Sequence, residues 1–280
     1  MKKTFKLFIY LFPILIFVSN INLQLLAQTT ATIPNSDNQI DAILWVQKSA
    51  EYRACCYQAF NYAKLIVDGR DCKLKNPAVI FDLDETLINN SKAQAQTVKD
   101  RSDFDATEWT KWCNALKTEA IPGAADFITY LIANKIEPIY ISNRLEESER
   151  NATIQNMKNL GFKDIKPENI LLKTNTSSKT ERRDKIFEKY DVILLVGDNL
   201  ADFNDVFEGR SFDQRKTIYN KDGIVNKIEE EKWDKKREVD ALKNEFGKKF
   251  IILPNPMYGD WAKLIPGTKE EKIKTLEGWK

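Results

Sequence analysis

Residues 78–86 read Ala78-Val79-Ile80-Phe81-Asp82-Leu83-Asp84-Glu85-Thr86. Four apolar residues run straight into an Asp-x-Asp pair. Such a run predicts a buried strand whose end carries chemistry, because a carboxylate set against a core is costly unless it has a task. Two surface acids in a turn are the plainer reading of a lone Asp-x-Asp. Two further runs favour the first reading. Glu137 to Ile141 ends in Ser142-Asn143-Arg144, and Val192 to Val196 ends in Gly197-Asp198-Asn199. Helical patterns cover Ala124 to Ala133, Glu147 to Leu160 and Lys179 to Lys189. This alternation predicts an α/β fold, a Rossmann-like parallel sheet flanked by helices. Ligands bind beyond the carboxyl ends of the strands in such sheets, so the three polar clusters are expected to converge.

Outward from this core, Asp41 to Val67 reads as one helix, with apolar residues at helical spacing and Asp68-Gly69 as its stop. A polar insertion separates the first strand from Ile121-Pro122-Gly123 and carries Trp109 and Trp112. It is expected to form a smaller helical cap over about 88–120. Glu229 to Phe246 reads as a charged, solvated helix, and Phe250 to Leu253 as a further strand. The expected division is a signal peptide over 1–27, an N-terminal helical segment over 28–75 that joins the cap, a core over 76–265 and a tail over 266–280.

The first segment has the pattern of an export signal. Lys2, Lys3 and Lys6 precede an apolar stretch from Leu7 to Val18, and Leu25-Leu26-Ala27 is a cleavage site that leaves Gln28 first. Export to the periplasm, the outer envelope or the medium is expected, with no stable membrane insertion after cleavage; an uncleaved anchor is the alternative. The leader has no cysteine to accept a lipid. The chain carries 43 Lys and Arg against 41 Asp and Glu. Without the three leader lysines the balance is 40 against 41, which gives no case for a nucleic-acid polymer as partner. There is no histidine. That excludes a Ser-His-Asp triad, phosphohistidine chemistry and His-ligated zinc or haem, and leaves acid–base work to carboxylates, Lys, Tyr or Cys. Cys55, Cys56, Cys72 and Cys113 match no metal spacing. Buried thiols and disulfides are both open for them.

Asp82 and Asp84 divide a reaction between them: one carboxylate attacks phosphorus while the other handles the leaving-group proton. Attack by an anion on an anionic ester needs a cation to screen it. Mg²⁺ takes a few carboxylate and carbonyl oxygens, and the Asp82 and Asp198 carboxylates with the Asp84 backbone carbonyl would supply them, with Asn199 and Asp202 behind. Ser142 and Asn143 offer a hydroxyl, an amide and backbone N–H groups to phosphate oxygens. Lys179 can neutralise developing charge, a role open equally to Arg182 and Arg183.

The four elements in this order resemble the haloacid-dehalogenase-like superfamily. More narrowly, the chain resembles the class C bacterial acid phosphatases, the lipoprotein-e type of 5′-nucleotidase. The narrower likeness rests on Ser49-Ala50-Glu51-Tyr52-Arg53-Ala54 with Gln58-Ala59, Trp109-x-x-Trp112, Ala120-x-Pro122-Gly123-Ala124 and Ser142-Asn143-Arg144. It continues through Gly197-Asp198-Asn199-Leu200-x-Asp202-Phe203 and Leu253-Pro254-Asn255-x-x-Tyr258-Gly259-x-Trp261. The resemblance implies an acid phosphatase with Asp82 as nucleophile, Asp84 as general acid/base, Mg²⁺ on Asp82, Asp84 and Asp198, and phosphate held by Ser142, Asn143 and Lys179. It also implies a small phosphomonoester as substrate, nucleoside 5′-monophosphates and nicotinamide mononucleotide among them, with Trp109 and Tyr258 sandwiching the ring. Core packing is the expectation for Trp112 and Trp261. A homodimer is compatible with the reading. Asn89 and Ala201 depart from the family pattern, which often has acids there, and the missing leader cysteine means that the lipoprotein label does not transfer.

Two other classes compete. A glycosyltransferase uses Asp-x-Asp to bind a metal–nucleotide-sugar but needs no acidic cluster after a later strand. A catalytically weak ligand-binding or storage relative of the same fold could dispense with Asp82, which this chain keeps.

Overall fold

A computed structural model describes residues 39–207, 216–219, 225–229, 235–262 and 268–279. The leader and the polar lead-in lie outside them. Two helices come first, α1 (Ile40–Lys48) and α2 (Ala50–Asp68). The single helix expected here is broken at Ser49, whose backbone is extended and whose Oγ accepts the N–H of Tyr52 at 3.0 Å. A serine that satisfies an otherwise orphaned donor starts a new helix rather than continuing the old one.

The chain then enters β1 (Pro77–Phe81), crosses β2 (Ile88–Asn89), α3 (Ser91–Lys99), α4 (Ala106–Ala115) and β3 (Glu119–Ala120), and continues through α5 (Ala124–Ala133). Next come β4 (Glu137–Leu145), α6 (Glu146–Asn159), β5 (Ile170–Lys173), α7 (Thr180–Phe187) and β6 (Asp191–Gly197). The last elements are β7 (Lys216–Tyr219), β8 (Val225–Glu229), α8 (Lys235–Ala241), β9 (Phe250–Ile252) and α9 (Lys269–Thr275).

Five strands form one sheet in the order β5-β4-β1-β6-β9, and every pairing is parallel. The α/β reading of the sequence holds. β1 is the middle strand, and its continuous apolar run is what a strand covered on both faces requires. Val79 and Phe81 face one core with Tyr140, Leu194 and Val196, and α2 and α5 close that side. Ala78 and Ile80 face the other core with Ile139, Ile141 and Leu195, and Ile186 of α7 lies there.

Several boundaries differ from expectation. β4 does not stop at Ile141 but runs on to Leu145, with an irregular register against β5. A bulge of this kind tolerates polar residues within a strand and re-aims their side chains. Strand β5 has no counterpart in the sequence pattern, because four residues, Ile170–Lys173, are too short a signal. The charged helix expected over Glu229 to Phe246 is, within the described residues, only the short α8; Glu229 ends β8, and Phe246 sits among turns and packs on Phe203 and Phe250. Helix α7 is shorter than expected at both ends.

β2 and β3 pair antiparallel, Ile88 opposite Ala120 and Asn89 opposite Glu119. They bracket α3 and α4 and bring the inserted segment back to the point it left.

Candidate active site

The turn after β1 builds the centre. Asp82 is pinned by its N–H, which donates to the Val196 carbonyl of β6 at 2.9 Å. The chain then doubles back sharply: the N–H groups of Leu87 and Ile88 both donate to the Leu83 carbonyl at 2.8 Å. This turn forces Glu85 into the left-handed region at φ 59°, a conformation that costs a non-glycine residue and that the surrounding hydrogen bonds must hold. Asp84 thereby projects from the turn toward the β4 end.

Asp82, Asp198 and Asp202 each bring a carboxylate oxygen to within 4.8 Å of the others. Lys179, the residue that caps α7, reaches into this group. Its Nζ donates to Asp82 in a short contact and to Asp202 Oδ1 at 2.7 Å. Burial disfavours the charged lysine, but the Asp202 and Asp82 carboxylates outweigh it and hold the ammonium above its ordinary range. Asp198 accepts from Asn255 Nδ2 at 2.8 Å and from Thr86 Oγ1 at 3.3 Å. Asp202 comes this close only because residue 197 is glycine: a Cβ there would lie 2.6 Å from the Asp202 Cβ.

Asp82 and Asp202 share the Lys179 ammonium with the half-buried Asp198 beside them, and protonation registers the imbalance. Burial pushes Asp82 up to about 7; Lys179 opposes the shift, while Asp202 and Asp84 add to it. Burial, Asp82 and Asp202 likewise raise Asp198 well above the carboxylate range, against the hydrogen bond from Asn255. Such a cluster of hard oxygen donors with uncompensated negative charge fits a divalent cation. The members of the cluster are those at the ends of β1 and β6, and Asp202, expected one layer back, is among them. Its second oxygen accepts the Asn199 N–H at 3.0 Å.

Asp84 is gripped from the β4 side. Arg144, 1% exposed, donates from Nη2 to Asp84 Oδ1 at 2.7 Å and from Nε to Oδ1 and Oδ2 at 3.0 and 3.1 Å. Ser142 is fully buried, and its Oγ lies 3.4 Å from Asp84 Oδ2. Asn143 is exposed, and its Oδ1 accepts from Arg182 at 2.7 Å. Arg182 also donates to the Ser142 carbonyl at 2.6 Å, and Arg183 donates to the Ala201 carbonyl at 2.7 Å. Both arginines thus brace the loops, and it is Lys179 that meets Asp82.

Trp109 and Tyr258 are set near neighbours of Asp84, Trp109 near its partner Arg144 and Tyr258 on the adjacent Glu85. The Trp109 ring lies 6.0 Å from the Arg144 guanidinium and 6.3 Å from the Phe104 ring. The Tyr258 hydroxyl donates to Glu85 in a short contact. Trp112 and Trp261 do not pack in the core. Trp112 is half-buried and donates its indole N–H to Asn90, and Trp261 is 46% exposed. Indole needs a partner for its N–H, which draws such a ring to the edge of a core. The four cysteines are free thiols; Cys56 and Cys113 are buried, Cys55 and Cys72 exposed.

Reasoning from residue types assigned no role to Arg144, Glu85, Asn90 or Asn255. Arg144 and Asn255 carried a signal, since each follows an apolar run at the same end of the sheet as Asp82. Glu85 and Asn90 carried none, because their placement depends on the left-handed turn.

Residues 16–261 match the family model of the HAD superfamily, subfamily IIIB (acid phosphatase). Two solved structures of the class C acid phosphatase of Bacillus anthracis are similar to this chain at 33% identity. The one with tungstate bound has a TM-score of 0.71 and covers 88% of this chain and 99% of its own; the other has a TM-score of 0.73 and covers 89% and 100%. Vegetative storage protein 2 of Arabidopsis thaliana is 28% identical over 202 residues, 67% of this chain and 73% of that protein. Acid phosphatase 1 of Solanum lycopersicum is 27% identical over 154 residues, 52% of this chain and 58% of that protein.

Proposed function

The chain belongs to subfamily IIIB of the HAD superfamily, the acid phosphatases, which are phosphoric monoester hydrolases, and from that premise we propose that it works through a phosphorylated Asp82 with Mg²⁺ as its cation. The observation that carries this reading is the meeting of Asp82, Asp198, Asp202 and Lys179 in one buried cluster with Asp84 beside it. The Asp82 carboxylate attacks phosphorus. The ester P–O bond breaks, and its electron pair leaves on the ester oxygen, which takes a proton from Asp84. Water then attacks phosphorus while Asp84 takes one of its protons, the P–O bond to Asp82 breaks with its electron pair returning to the carboxylate, and phosphate departs. Lys179 offsets charge on the transferring group, and Ser142 and Asn143 face its oxygens. Asp82, the Asp84 carbonyl and Asp198 would hold Mg²⁺, with Asp202 and Asn199 supporting; when bound, it screens the nucleophile from the substrate's charge.

Selectivity in this reading comes from Trp109 and Tyr258, which sandwich the ring of a nucleoside 5′-monophosphate or of nicotinamide mononucleotide. Their links to Arg144 and to Glu85 support it, because both keep the rings close to Asp84. The bound tungstate of the Bacillus relative, a tetrahedral oxyanion, is in keeping with a phosphate site. Likeness to a plant storage protein favours a second reading, a relative with weak catalysis. Retention of Asp82, Asp84, Lys179 and Asp198 speaks for the enzyme. Release of phosphate from a chromogenic monoester, run with Mg²⁺ and with chelator, separates the two: turnover that needs the metal is expected, and its absence at any metal concentration sinks the enzymatic reading. Export with cleavage before Gln28 is part of the proposal, and N-terminal sequencing of the protein from the cell envelope tests it. No helix among the described residues is long and apolar enough to cross a membrane.

A further inference from the structure

Asn90 is fully buried, and both ends of its amide are engaged. Its Nδ2 donates to Asp84 Oδ1 at 2.9 Å and to Glu85 Oε2 at 3.2 Å. Its Oδ1 accepts the indole N–H of Trp112 at 2.9 Å. An indole nitrogen is a donor only, so it admits the oxygen of an amide and refuses the nitrogen. Flipping Asn90 would set N–H against N–H at Trp112 and turn an oxygen toward the Asp84 and Glu85 oxygens that now accept from its Nδ2. Trp112 therefore fixes which end of Asn90 meets Asp84.

The indole comes from a firmly seated helix. On α4, Thr110 Oγ1 donates to Glu149 Oε1 at 2.7 Å, and the Cys113 carbonyl accepts from Asn156 Nδ2 at 2.9 Å. Glu149 and Asn156 belong to α6 and are each 1% exposed. Buried polar pairs of this kind set register, because leaving either member unpaired is costly.

We propose that Trp112 and Asn90 are positioning residues that hold Asp84 in line with the leaving-group oxygen. Oδ1 of Asp84 is held from both sides, by Arg144 at 2.7 Å and by Asn90 at 2.9 Å. Oδ2 has the longer contacts, to Arg144 at 3.1 Å and Ser142 at 3.4 Å. Oδ2 is therefore the less tightly held oxygen, the one left to face the ester oxygen as the P–O bond breaks. This rests on Asp84 being the general acid.

The test is kcat/KM for substituted phenyl phosphates of one shape and rising leaving-group basicity, since this parameter reads the step that expels the leaving group. A p-nitrophenolate leaves with little need of a proton, whereas an alkoxide or a basic phenolate needs one. Trp112→Phe keeps a ring and removes the donor. It is expected to lower kcat/KM about fivefold to tenfold on the most basic leaving group, the scale of one lost hydrogen bond, and by less than about twofold on p-nitrophenyl phosphate. In an Asp84→Asn background the same substitution is expected to cost nothing further, because its effect passes through Asp84. Asn90→Asp, which still accepts from the indole but has no NH₂ for Asp84, is expected to show the same leaving-group dependence and decides the matter if Trp112→Phe does not fold. Equal losses on all esters, or full additivity with Asp84→Asn, overturn the proposal while Asp84 keeps its role. An Asp84→Asn enzyme insensitive to leaving group overturns both.

Discussion

At the scale of the residue, Asp82 lies under opposing demands. It must be ionised to attack, yet burial favours its protonated form, and Lys179 only partly offsets that. Asp82→Asn leaves an amide that cannot attack phosphorus, and steady-state assay should find turnover below about a thousandth of wild type; a tenth retained would exclude the covalent route. Asp84→Asn should fold and still bind phosphate while losing on the order of a hundredfold in turnover. Glu85 offers a test by pH. It accepts from the Asn90 N–H at 2.7 Å and from Tyr258, but burial and the neighbouring Asp84 push it from 4.5 up to about 8. Between those values the folded protein holds a proton that the unfolded chain has released. Stability therefore falls as pH rises through that window, and Glu85 makes no difference to it below about 4.5. Thermal unfolding of the metal-free protein should show Glu85→Gln losing less stability between pH 5 and 8 than wild type, by on the order of a few kcal/mol. Asp82 and Asp198 are raised as well and contribute with the same sign in both proteins, so the difference reports Glu85 together with the part of the Asp198 shift that Glu85 causes. Acids at strand ends, Asp82 and Asp198, were legible in the sequence because a charge beside an apolar run is conspicuous. Arg144 is visible at the end of its apolar run but gains no role there, since nothing in its own strand says that it reaches Asp84.

At the scale of the element, the β1, β4 and β6 runs were legible because each is continuous and apolar. The short pairs β2–β3 were not, since two residues carry no period. They matter as much, because they close the insertion that brings α4 to the site. Trp109 on α4 and Tyr258 after β9 enter from different elements, so the ring clamp can be tested one side at a time. Trp109→Ala and Tyr258→Ala should each lower kcat/KM on nucleoside monophosphates by about tenfold or more relative to glycerol phosphate, the scale of one base–aromatic stack. Tyr258→Phe should keep that preference, because it retains the ring and gives up only the hydrogen bond to Glu85. Equal losses on both substrates would leave these rings a packing role alone.

At the scale of the whole molecule, the cluster at the sheet's carboxyl edge joins residues from β1, β6 and the loops before α7 and after β9. Folding assembles it, and a cation that binds it should stabilise the fold. Mg²⁺ should raise the unfolding temperature and chelator should lower it. Because Asp82 is pushed up to about 7 and Asp198 is raised as well, binding must displace protons, so affinity should climb as pH rises through about 7. Titration calorimetry in two buffers of different ionisation enthalpy would reveal the released protons, and a pH-independent affinity would contradict the shift. The position of β1 in the middle of the sheet has one more consequence. β5 and β9 are the outer strands, whereas β1 is laddered on both sides and Asp82 is bonded through its own amide to β6. Local opening starts at edges and spreads inward. In a deuterium-exchange time course the Asp82 amide should be among the last to take up label, long after β5 and β9. The reactive carboxylate then outlasts the periphery, and a molecule frayed at both edges still keeps its nucleophile in place.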